Sequence, residues 1–324
     1  MDLQDRLTIL IPTYNRKERL LGTLHSIASQ GHWGEYDVVI VDNCSIYSVE
    51  EAIKGEFKDD FSKFVTVHRW FFNTGMSTNI SIAFEFVRTK WCWFISDDDE
   101  VLDGALSTVL NDTQRYKNSA AVKYSIKNIC QYDNSVICNA DEWTSYYMNH
   151  HSGDKGYLSM LYNISILYPY LPELTIHSYS YLSFWIPVLK SINETDANII
   201  MSSDILFQYK ENNDGWNSSS EKYLNTLLGI RTFFDFRYGL SDKAYLNFKN
   251  LYTCDLFDAK TVVLKIVSLP ERHLRIHYYN LLNSLFSGSI LKVFFSKMFY
   301  YLVLLTNVSP EKIKDFILYI KKHR

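Results

Sequence analysis

Three consecutive carboxylates follow an apolar, aromatic run in the first third of the chain. The run is Trp91–Ile95, and the acids belong to the stretch Ser96–Asp99, called the acidic motif below, in which serine comes first. Like charges repel one another at a strand end, and a hard divalent cation, which prefers oxygen ligands, offsets that repulsion. The acidic motif therefore indicates a cation site of the kind that holds a phosphate. An acidic turn that caps the next helix is the alternative.

Polar residues also follow two earlier apolar runs. Leu7–Pro12 is predicted to be a buried strand that leads into Thr13–Arg16, and the second run, Val38–Val41, is followed by Asp42. Parallel strands bring their carboxyl ends to one edge of a sheet. We therefore expect both polar stretches to share a pocket with the acidic motif.

The elements between these stretches indicate the fold class. Apolar residues recur at helical spacing after the first strand and again over Asn79–Val87, while Phe64–Trp70 alternates like a strand. Strand and helix thus alternate through the first hundred residues. This order predicts an α/β protein with an open, mostly parallel sheet flanked by helices.

The remainder of the chain has a looser pattern. Ala120–Ile126 and Tyr179–Ile186 are predicted to be strands, and 131–157 to be loop. We expect one domain over 1–220, with a nucleotide-binding half (1–110) and an acceptor half (111–220), followed by a helical region over 221–324. Within that region, 285–324 is apolar and basic, which is typical both of an amphipathic helix on a membrane surface and of a helix packed on the core.

Composition excludes several classes of protein. The chain has 324 residues and a net charge of -3, which argues against bulk attraction to nucleic acid. Its five cysteines form no CxxC pair, as expected for reduced thiols in the cytoplasm. The first residues lack the basic start and long apolar core of a signal peptide.

Four motifs together resemble family 2 of the inverting glycosyltransferases, which have the GT-A fold. They are Ile11–Arg16, Val41–Ser45, Asn73–Gly75 and Ser96–Asp99, and the resemblance covers about residues 7 to 110. It implies an enzyme of the bacterial surface-polysaccharide or O-antigen type.

The resemblance also implies a binding site for a nucleotide-sugar donor. Thr13 and Tyr14 would cradle the nucleobase, and Asp42 would accept a hydrogen bond from its ring nitrogen. A carboxylate suits the imide N–H of uracil, and a tyrosine ring can stack on a base. The implied nucleotide-binding residues are Pro12, Thr13, Tyr14, Asn15, Arg16, Asp42, Asn73, Gly75 and Asp97.

A divalent metal, Mn²⁺ or Mg²⁺, is implied as cofactor. The common family pattern is Asp-x-Asp-Asp, and here Ser96 stands at its first position. Aligned in this way, Asp98 is the leading metal ligand, Asp99 supports it and Asp97 faces the ribose. A shift of one residue would instead make Asp97 and Asp99 the metal pair.

Family members place a general base about a hundred residues after the metal motif, at the start of a helix. Asp204 fits this position if Met201–Phe207 begins a helix, with an ordinary first-turn aspartate as the alternative. Three other acids are rivals, and His177 and Trp216 are candidates for the acceptor site, with packing roles as their alternatives. The rivals are Glu173, Asp196 and Asp214.

These observations predict a metal-dependent inverting glycosyltransferase. Its donor is expected to be a UDP-sugar and its acceptor a lipid-linked oligosaccharide, at the inner face of the cytoplasmic membrane. A catalytically inactive nucleotide-sugar or glycan binding module with the same fold is the second hypothesis. An oxidoreductase is disfavoured because no GxGxxG follows the first strand.

Overall fold

The computed structural model describes most of the first two hundred residues and parts of the remainder. The described ranges are 3–57, 59–127, 130–150, 160–180, 183–208, 220, 223–225, 228–229, 241–242, 245–246, 265–266, 268–269 and 271–283. The chain divides into two compact units, Met1–Glu211 with Arg237–Ala244, and Asn212–Phe236 with Tyr245–Arg324. Trp216, Asp214 and the predicted membrane-associating segment 285–324 lie outside the described residues.

The first unit contains all of the strands in the described part of the chain. They are β1 (Gln4–Thr13), β2 (Tyr36–Asp42), β3 (Val65–Arg69), β4 (Thr89–Phe94), β5 (Glu100–Val101), β6 (Ser119–Ser125), β7 (Ser135–Ile137), β8 (Met160–Asn163), β9 (Asn198–Ile205) and β10 (Phe207–Gln208). Eight of them form one sheet in the order β3-β2-β1-β4-β8-β6-β9-β7, and β5 pairs with β10. Only β8 and β7 run against the other strands of the large sheet.

Helices cover both faces of this sheet. The described helices of the first unit are α1 (Lys17–Ala28), α2 (Val49–Glu56), α3 (Asp59–Ser62), α4 (Met76–Ala83), α5 (Ala105–Arg115), α6 (Ala140–His150), α7 (Ile164–Leu167), α8 (Pro172–Ile176) and α9 (Trp185–Glu194). The described part of the second unit contains α10 (Arg272–Asn283). The apolar faces of α1, α2 and α5 bury one side of the sheet. On the other side Phe84, just after α4, stacks on Phe94 of β4. The predicted α/β class is confirmed.

The predicted elements of the first hundred residues are present in the structure. β1 reads as a continuous apolar run because it lies in mid-sheet, where residues of both faces are buried. Leu20, Leu24 and Ile27 of α1 are buried as their helical spacing indicates. β3, α4 and β4 match the remaining predictions closely.

Three predictions farther along the chain are wrong. Tyr179–Ile186 is not a strand, since Ser178–Ser180 is a 3-10 turn and α9 begins at Trp185. A short apolar run fits a buried strand or a buried helix equally well, and here the run begins in a 3-10 turn and ends in the first two residues of a buried helix. Met201–Phe207 does not begin a helix either, because it belongs to β9 and β10.

The predicted loop 131–157 contains β7 and α6. A capping signal at the start of α6 was missed. The Asn139 side chain accepts from the backbone N–H of Glu142 at 2.9 Å, and the Glu142 carboxylate accepts from the backbone N–H of Cys138 at 2.8 Å. This reciprocal arrangement satisfies free N–H groups at a helix start.

None of the helices in the described ranges combines the length and the apolar character needed to cross a bilayer.

A buried polar contact joins α5 to β6. The Tyr124 hydroxyl donates to Asp112 at 2.9 Å, and both side chains are buried. Burial raises the pKa of the Asp112 carboxyl, and the hydrogen bond from Tyr124 opposes that rise. The hydroxyl therefore helps to hold the ionised carboxylate inside the protein.

We expect Tyr124→Phe to lower the free energy of unfolding by about 1–3 kcal/mol, because a buried carboxylate oxygen loses its donor. The loss of the hydroxyl raises the pKa of Asp112 further, so the folded state binds more protons and the destabilisation grows as pH rises above 3.8, the ordinary Asp value. Urea unfolding at pH 5 and pH 8 measures both effects. Tyr116→Phe, at the end of α5, is the matched control, and equal effects of the two variants would contradict this account.

Candidate active site

The ends of β1, β2 and β4 lie side by side at one edge of the sheet. Thr13 pairs with Asp42 in the parallel register of β1 and β2, and the backbone N–H of Asn43 donates to the Thr13 carbonyl at 2.9 Å. On the other side of β1, the N–H of Ile95 donates to the Leu10 carbonyl at 3.1 Å. The acidic motif begins at the next residue. The predicted common edge is confirmed.

Asp97 connects the acidic motif to the loop after β1. Its carboxylate accepts from the Thr13 hydroxyl at 2.7 Å through one oxygen and from Arg16 Nη1 at 2.9 Å through the other. The side chain is only 4% exposed. Burial raises the pKa of Asp97, and the Arg16 charge and the Thr13 hydrogen bond oppose this rise. Both oxygens are thus engaged by the protein itself.

Asp98 is the more open of these two carboxylates, with 14% of its side chain exposed. One oxygen accepts from the same Arg16 Nη1 at 3.0 Å, and the other accepts from the Ser96 hydroxyl. Arg19 Nη1 lies 3.8 Å from the first oxygen. One guanidinium nitrogen therefore bridges Asp97 and Asp98, and a second arginine lies near.

Asp99 is buried, and its backbone carbonyl accepts from the Thr23 hydroxyl of α1 at 2.9 Å. This bond fixes the end of the acidic motif against α1.

Asp42 is fully buried at the end of β2. One oxygen accepts from the Ser45 backbone N–H at 2.9 Å, while Oδ2 makes no hydrogen bond to the described residues and lies 3.1 Å from Arg69 Nη1. Because a buried carboxylate oxygen without a donor is costly, a ligand N–H would be a favourable partner for it.

Tyr47 is a neutral donor in the same region. Burial, followed by the charges of Asp42 and Asp97, raises the pKa of its hydroxyl to about 12. The group keeps its proton at neutral pH and can donate a hydrogen bond.

Two residues with positive φ shape the loops above the strands. They are Asn15 (φ 55°) and Cys44 (φ 66°). Asn15 cross-links the two loops, since its backbone N–H donates to the Ser45 hydroxyl at 2.9 Å and its side chain accepts from the N–H of Ile46 at 2.7 Å. Such conformations are unfavourable for residues other than glycine and are held here by these bonds.

Asn43 links the second loop to the Asn73–Gly75 motif. Its amide donates to Asn73 Oδ1 at 2.9 Å and accepts from the backbone N–H of Thr74 at 2.8 Å. Gly75, with φ 83°, then starts α4. The predicted residues Asn73 and Gly75 therefore belong to the same edge.

Tyr14 and Pro12 complete the set of predicted donor-binding residues. Tyr14 is 42% exposed, so its ring is accessible for stacking. Pro12, two residues earlier, is partly buried. The structure thus places every predicted nucleotide-binding residue at one edge. It adds Asn43, Tyr47 and Arg69 to this edge, none of which was assigned from the sequence. The polar residues directly after β2 and at the end of β3 could have indicated them.

The general-base candidates lie in different places. Asp204 is exposed near the carboxyl end of β9, on the same sheet edge as the acidic motif, and its carboxylate accepts from the Ser202 hydroxyl at 2.9 Å. Its charge acts on Asp112, Tyr116 and Tyr124. Asp196 precedes β9, so it lies at the opposite edge of the sheet.

Glu173 and His177 form a separate cluster on α8. The carboxylate of Glu173 lies 3.1 Å from His177 Nε2 and also pairs with Lys190 of α9. His177 therefore ends a helix and does not lie in the predicted strand. The carbonyl of Ser178 accepts from Ser77 in the first turn of α4, which follows the Asn73–Gly75 motif. The cluster thus lies beside the start of α4, next to the Asn73–Gly75 motif.

The acidic motif fits a divalent ion only in part. Magnesium and manganese sites that bind nucleotides use one or two carboxylates and take further oxygen ligands from the phosphates. The more open Asp98 suits that role, with Asp99 next to it in sequence. In the described ranges no three His, Cys, Asp or Glu side chains are grouped so that they could hold a metal alone.

Comparison with known proteins agrees with this geometry. Residues 8–150 match the family described as glycosyl transferase family 2. The abequosyltransferase RfbV of Salmonella typhimurium is 26% identical over 180 residues, which are 52% of each chain. A GalNAc(5)-diNAcBac-PP-undecaprenol beta-1,3-glucosyltransferase of Campylobacter jejuni is 26% identical over 107 residues, 32% of this chain and 33% of the relative. The chain thus spans about half or less of the length of these curated relatives.

Similar solved structures cover a larger part of the chain than the curated relatives do. S. aureus TarS 1-349 in complex with UDP has a TM-score of 0.56 and 14% identity, over 91% of this chain and 86% of that chain. The mannosyltransferase PcManGT from Pyrobaculum calidifontis, in complex with GDP-Man and Mn²⁺, has a TM-score of 0.55 and 12% identity, over 93% and 81%. At these identities the likeness shows the fold alone.

The family match confirms the resemblance drawn from the four motifs, and its range begins in β1 and contains all four of them. Residues 8–150 of this chain match a glycosyl transferase family 2 domain, and the fold is that of solved GT-A glycosyltransferases.

Proposed function

We propose that this chain transfers one sugar, with inversion, from a nucleotide diphosphate donor to a hydroxyl group of a glycan. The observation that carries the proposal is the convergence of an exposed Tyr14, a buried Asp42 oxygen without a hydrogen bond and the acidic motif at one edge. The relatives support it, since they are named as glycosyltransferases, and TarS is described with UDP.

Uridine is the nucleoside that we propose for the donor. Asp42 Oδ2, which has an ion pair with Arg69 but no hydrogen bond from the described residues, would accept the imide N–H of uracil, and Tyr14 would stack on the ring. Both oxygens of Asp97 are bonded to Thr13 and Arg16, so we propose that its main role is to hold these two residues in place. Contact of Asp97 with the ribose would be additional to these bonds.

Asp98, supported by Asp99, would hold the Mn²⁺ or Mg²⁺ ion. When bound, the ion would offset the negative charge that develops on the departing diphosphate. Arg16 and Arg19 add two positive charges of the protein on the same side. These two charges offset part of the negative charge of the acidic motif and would attract a diphosphate there.

Asp204 is proposed as the general base that takes the proton of the acceptor hydroxyl. Its exposed carboxylate accepts one side-chain hydrogen bond from the described residues, that of Ser202, so its other oxygen can face an acceptor hydroxyl. Glu173 is the rival. Both of its oxygens already have partners, Lys190 and His177, so an acceptor hydroxyl could reach Glu173 only by displacing one of them.

The acceptor is proposed to be a lipid-linked oligosaccharide, bound beside α8 near His177. The Campylobacter relative is named for a substrate on PP-undecaprenol, and 285–324 is apolar and basic in sequence. Trp216 is proposed to contact the acceptor as well. The protein would then act peripherally at the inner face of the cytoplasmic membrane.

Binding of nucleotides tests the donor proposal. In a panel of UDP-, GDP- and CDP-sugars with manganese, we expect UDP-sugars to raise the melting temperature most, because a ligand of the native state stabilises it. Slow hydrolysis of the preferred donor should be lost in Asp98→Asn and kept in Asp37→Asn, whose ion pair with Arg6 lies at the amino end of β2. Binding without hydrolysis in the wild type would favour the inactive binding module.

Two isosteric variants test the base. We expect Asp204→Asn to lower kcat by about 10²–10⁴-fold while UDP affinity is kept, as for the loss of a general base. Glu173→Gln should lower stability and leave kcat within about threefold, since a lost ion pair acts on folding. Steady-state kinetics and thermal unfolding of both variants make the comparison. The reverse pattern would move the base to Glu173.

Removal of 285–324 tests the membrane proposal. We expect the shortened chain to move from the membrane fraction to the soluble fraction after cell lysis, because apolar area and basic charge together bind an anionic surface. UDP binding by the shortened chain is the control for folding. Unchanged partitioning of a chain that still binds UDP would contradict the proposal.

A further inference from the structure

We propose that Arg16 is an internal competitor of the divalent ion at Asp98, and that the donor's diphosphate relieves this competition. The metal and the nucleotide would then bind with positive coupling. The inference rests on the proposed function, because it assigns a nucleotide diphosphate to this edge.

The contacts of Arg16 carry the first step. Its Nη1 lies 2.9 Å from Asp97 Oδ1 and 3.0 Å from Asp98 Oδ2, so a single nitrogen serves two carboxylates. The second oxygen of Asp98 accepts from Ser96. Both oxygens of the leading metal ligand are therefore occupied by donors of the chain. An ion that takes Asp98 must displace at least one of them.

The burial of Asp97 decides which contact Arg16 keeps. Asp97 is 4% exposed, Asp98 is 14% exposed, and the Arg16 side chain is 26% exposed. The loss of Arg16 from the buried carboxylate would leave a charge without its cation, which is the more costly loss. Arg16 is therefore held by Asp97, while its bond to the more open Asp98 is the one that can be exchanged.

The diphosphate offers Arg16 a phosphate oxygen in place of Asp98. Arginine has five donors in a planar fork and binds phosphate oxygens well. While it keeps its bond to Asp97, Arg16 would exchange its bond to Asp98 for one to a phosphate oxygen, and Asp98 becomes available to the ion. In the protein without nucleotide, Arg16 instead neutralises Asp98 and weakens metal binding. Each ligand then raises the affinity of the other by the same factor.

This role differs from general electrostatic attraction. Removal of any nearby cation would strengthen metal binding a little and weaken diphosphate binding a little. Arg19 provides the comparison, because its Nη1 is 3.8 Å from Asp98 and lies outside hydrogen-bond distance. Arg16→Gln and Arg19→Gln change the net charge equally, three residues apart on the same turn. Only the first removes the bridge.

Calorimetry with Mn²⁺ alone, UDP alone and each in the presence of the other tests the inference. For the wild type and Arg19→Gln we expect UDP to raise Mn²⁺ affinity by about tenfold or more, within the usual range of coupling between sites. For Arg16→Gln we expect Mn²⁺ alone to bind about tenfold more tightly than to the wild type, and coupling to fall below about threefold. The double variant Arg16→Gln/Asp97→Asn, which leaves no buried charge unpaired, should behave like Arg16→Gln.

The measurements separate the two proposals. Binding of Mn²⁺ to the nucleotide-free Arg16 variants no more tightly than to the wild type would overturn the inference, whatever UDP does. Unreduced coupling in both Arg16 variants would overturn it as well. Absence of UDP binding by the wild type, with or without manganese, would instead overturn the proposed function.

Discussion

The enclosure of one buried carboxylate organises this edge of the protein. Asp97 cannot be ionised inside the structure without donors, and it finds them in Thr13 at the end of β1 and in Arg16 before α1. These bonds span more than eighty residues of sequence and join β4 to the loop after β1. The parallel register of β1 with β2 then brings Asp42 to the same place. The arrangement of the loops at this edge thus depends on the contacts of Asp97.

The loops above the strands are ordered by side chains that replace regular secondary structure. Asn15 and Asn43 each make two or more hydrogen bonds to a neighbouring loop, and they lie two residues after β1 and one residue after β2. The positive φ angles of Asn15 and Cys44 turn the chain sharply at these points. Unfavourable backbone conformations of this kind persist when surrounding bonds over-determine them. Their position beside the donor edge indicates that the loops are pre-organised to bind a ligand.

The first hundred residues could be predicted from sequence because local and long-range signals agree there. Apolar runs, helical spacing and polar strand ends predicted β1 to β4, α1 and the shared edge. The secondary structure around Asp204 and His177 was predicted wrongly, since Asp204 lies in β9 and His177 ends α8. The apolar run Tyr179–Ile186, which ends in α9, has no periodic feature that separates a strand from a buried helix. Partners distant in sequence, such as Arg69 for Asp42 or Lys190 for Glu173, leave no local pattern at all.

The departure of the acidic motif from the family pattern has a physical consequence. With Ser96 at the first position and Asp97 at the second, the motif keeps three carboxylates but moves one of them into a buried place beside Thr13. Ser96 then donates to Asp98, where an aspartate would repel it. The buried carboxylate in turn requires a cation, and Arg16 supplies it while also reaching Asp98. The serine, the extra aspartate and the bridging arginine are therefore best understood as one electrostatic unit, in which a change at any member alters the surroundings of Asp98.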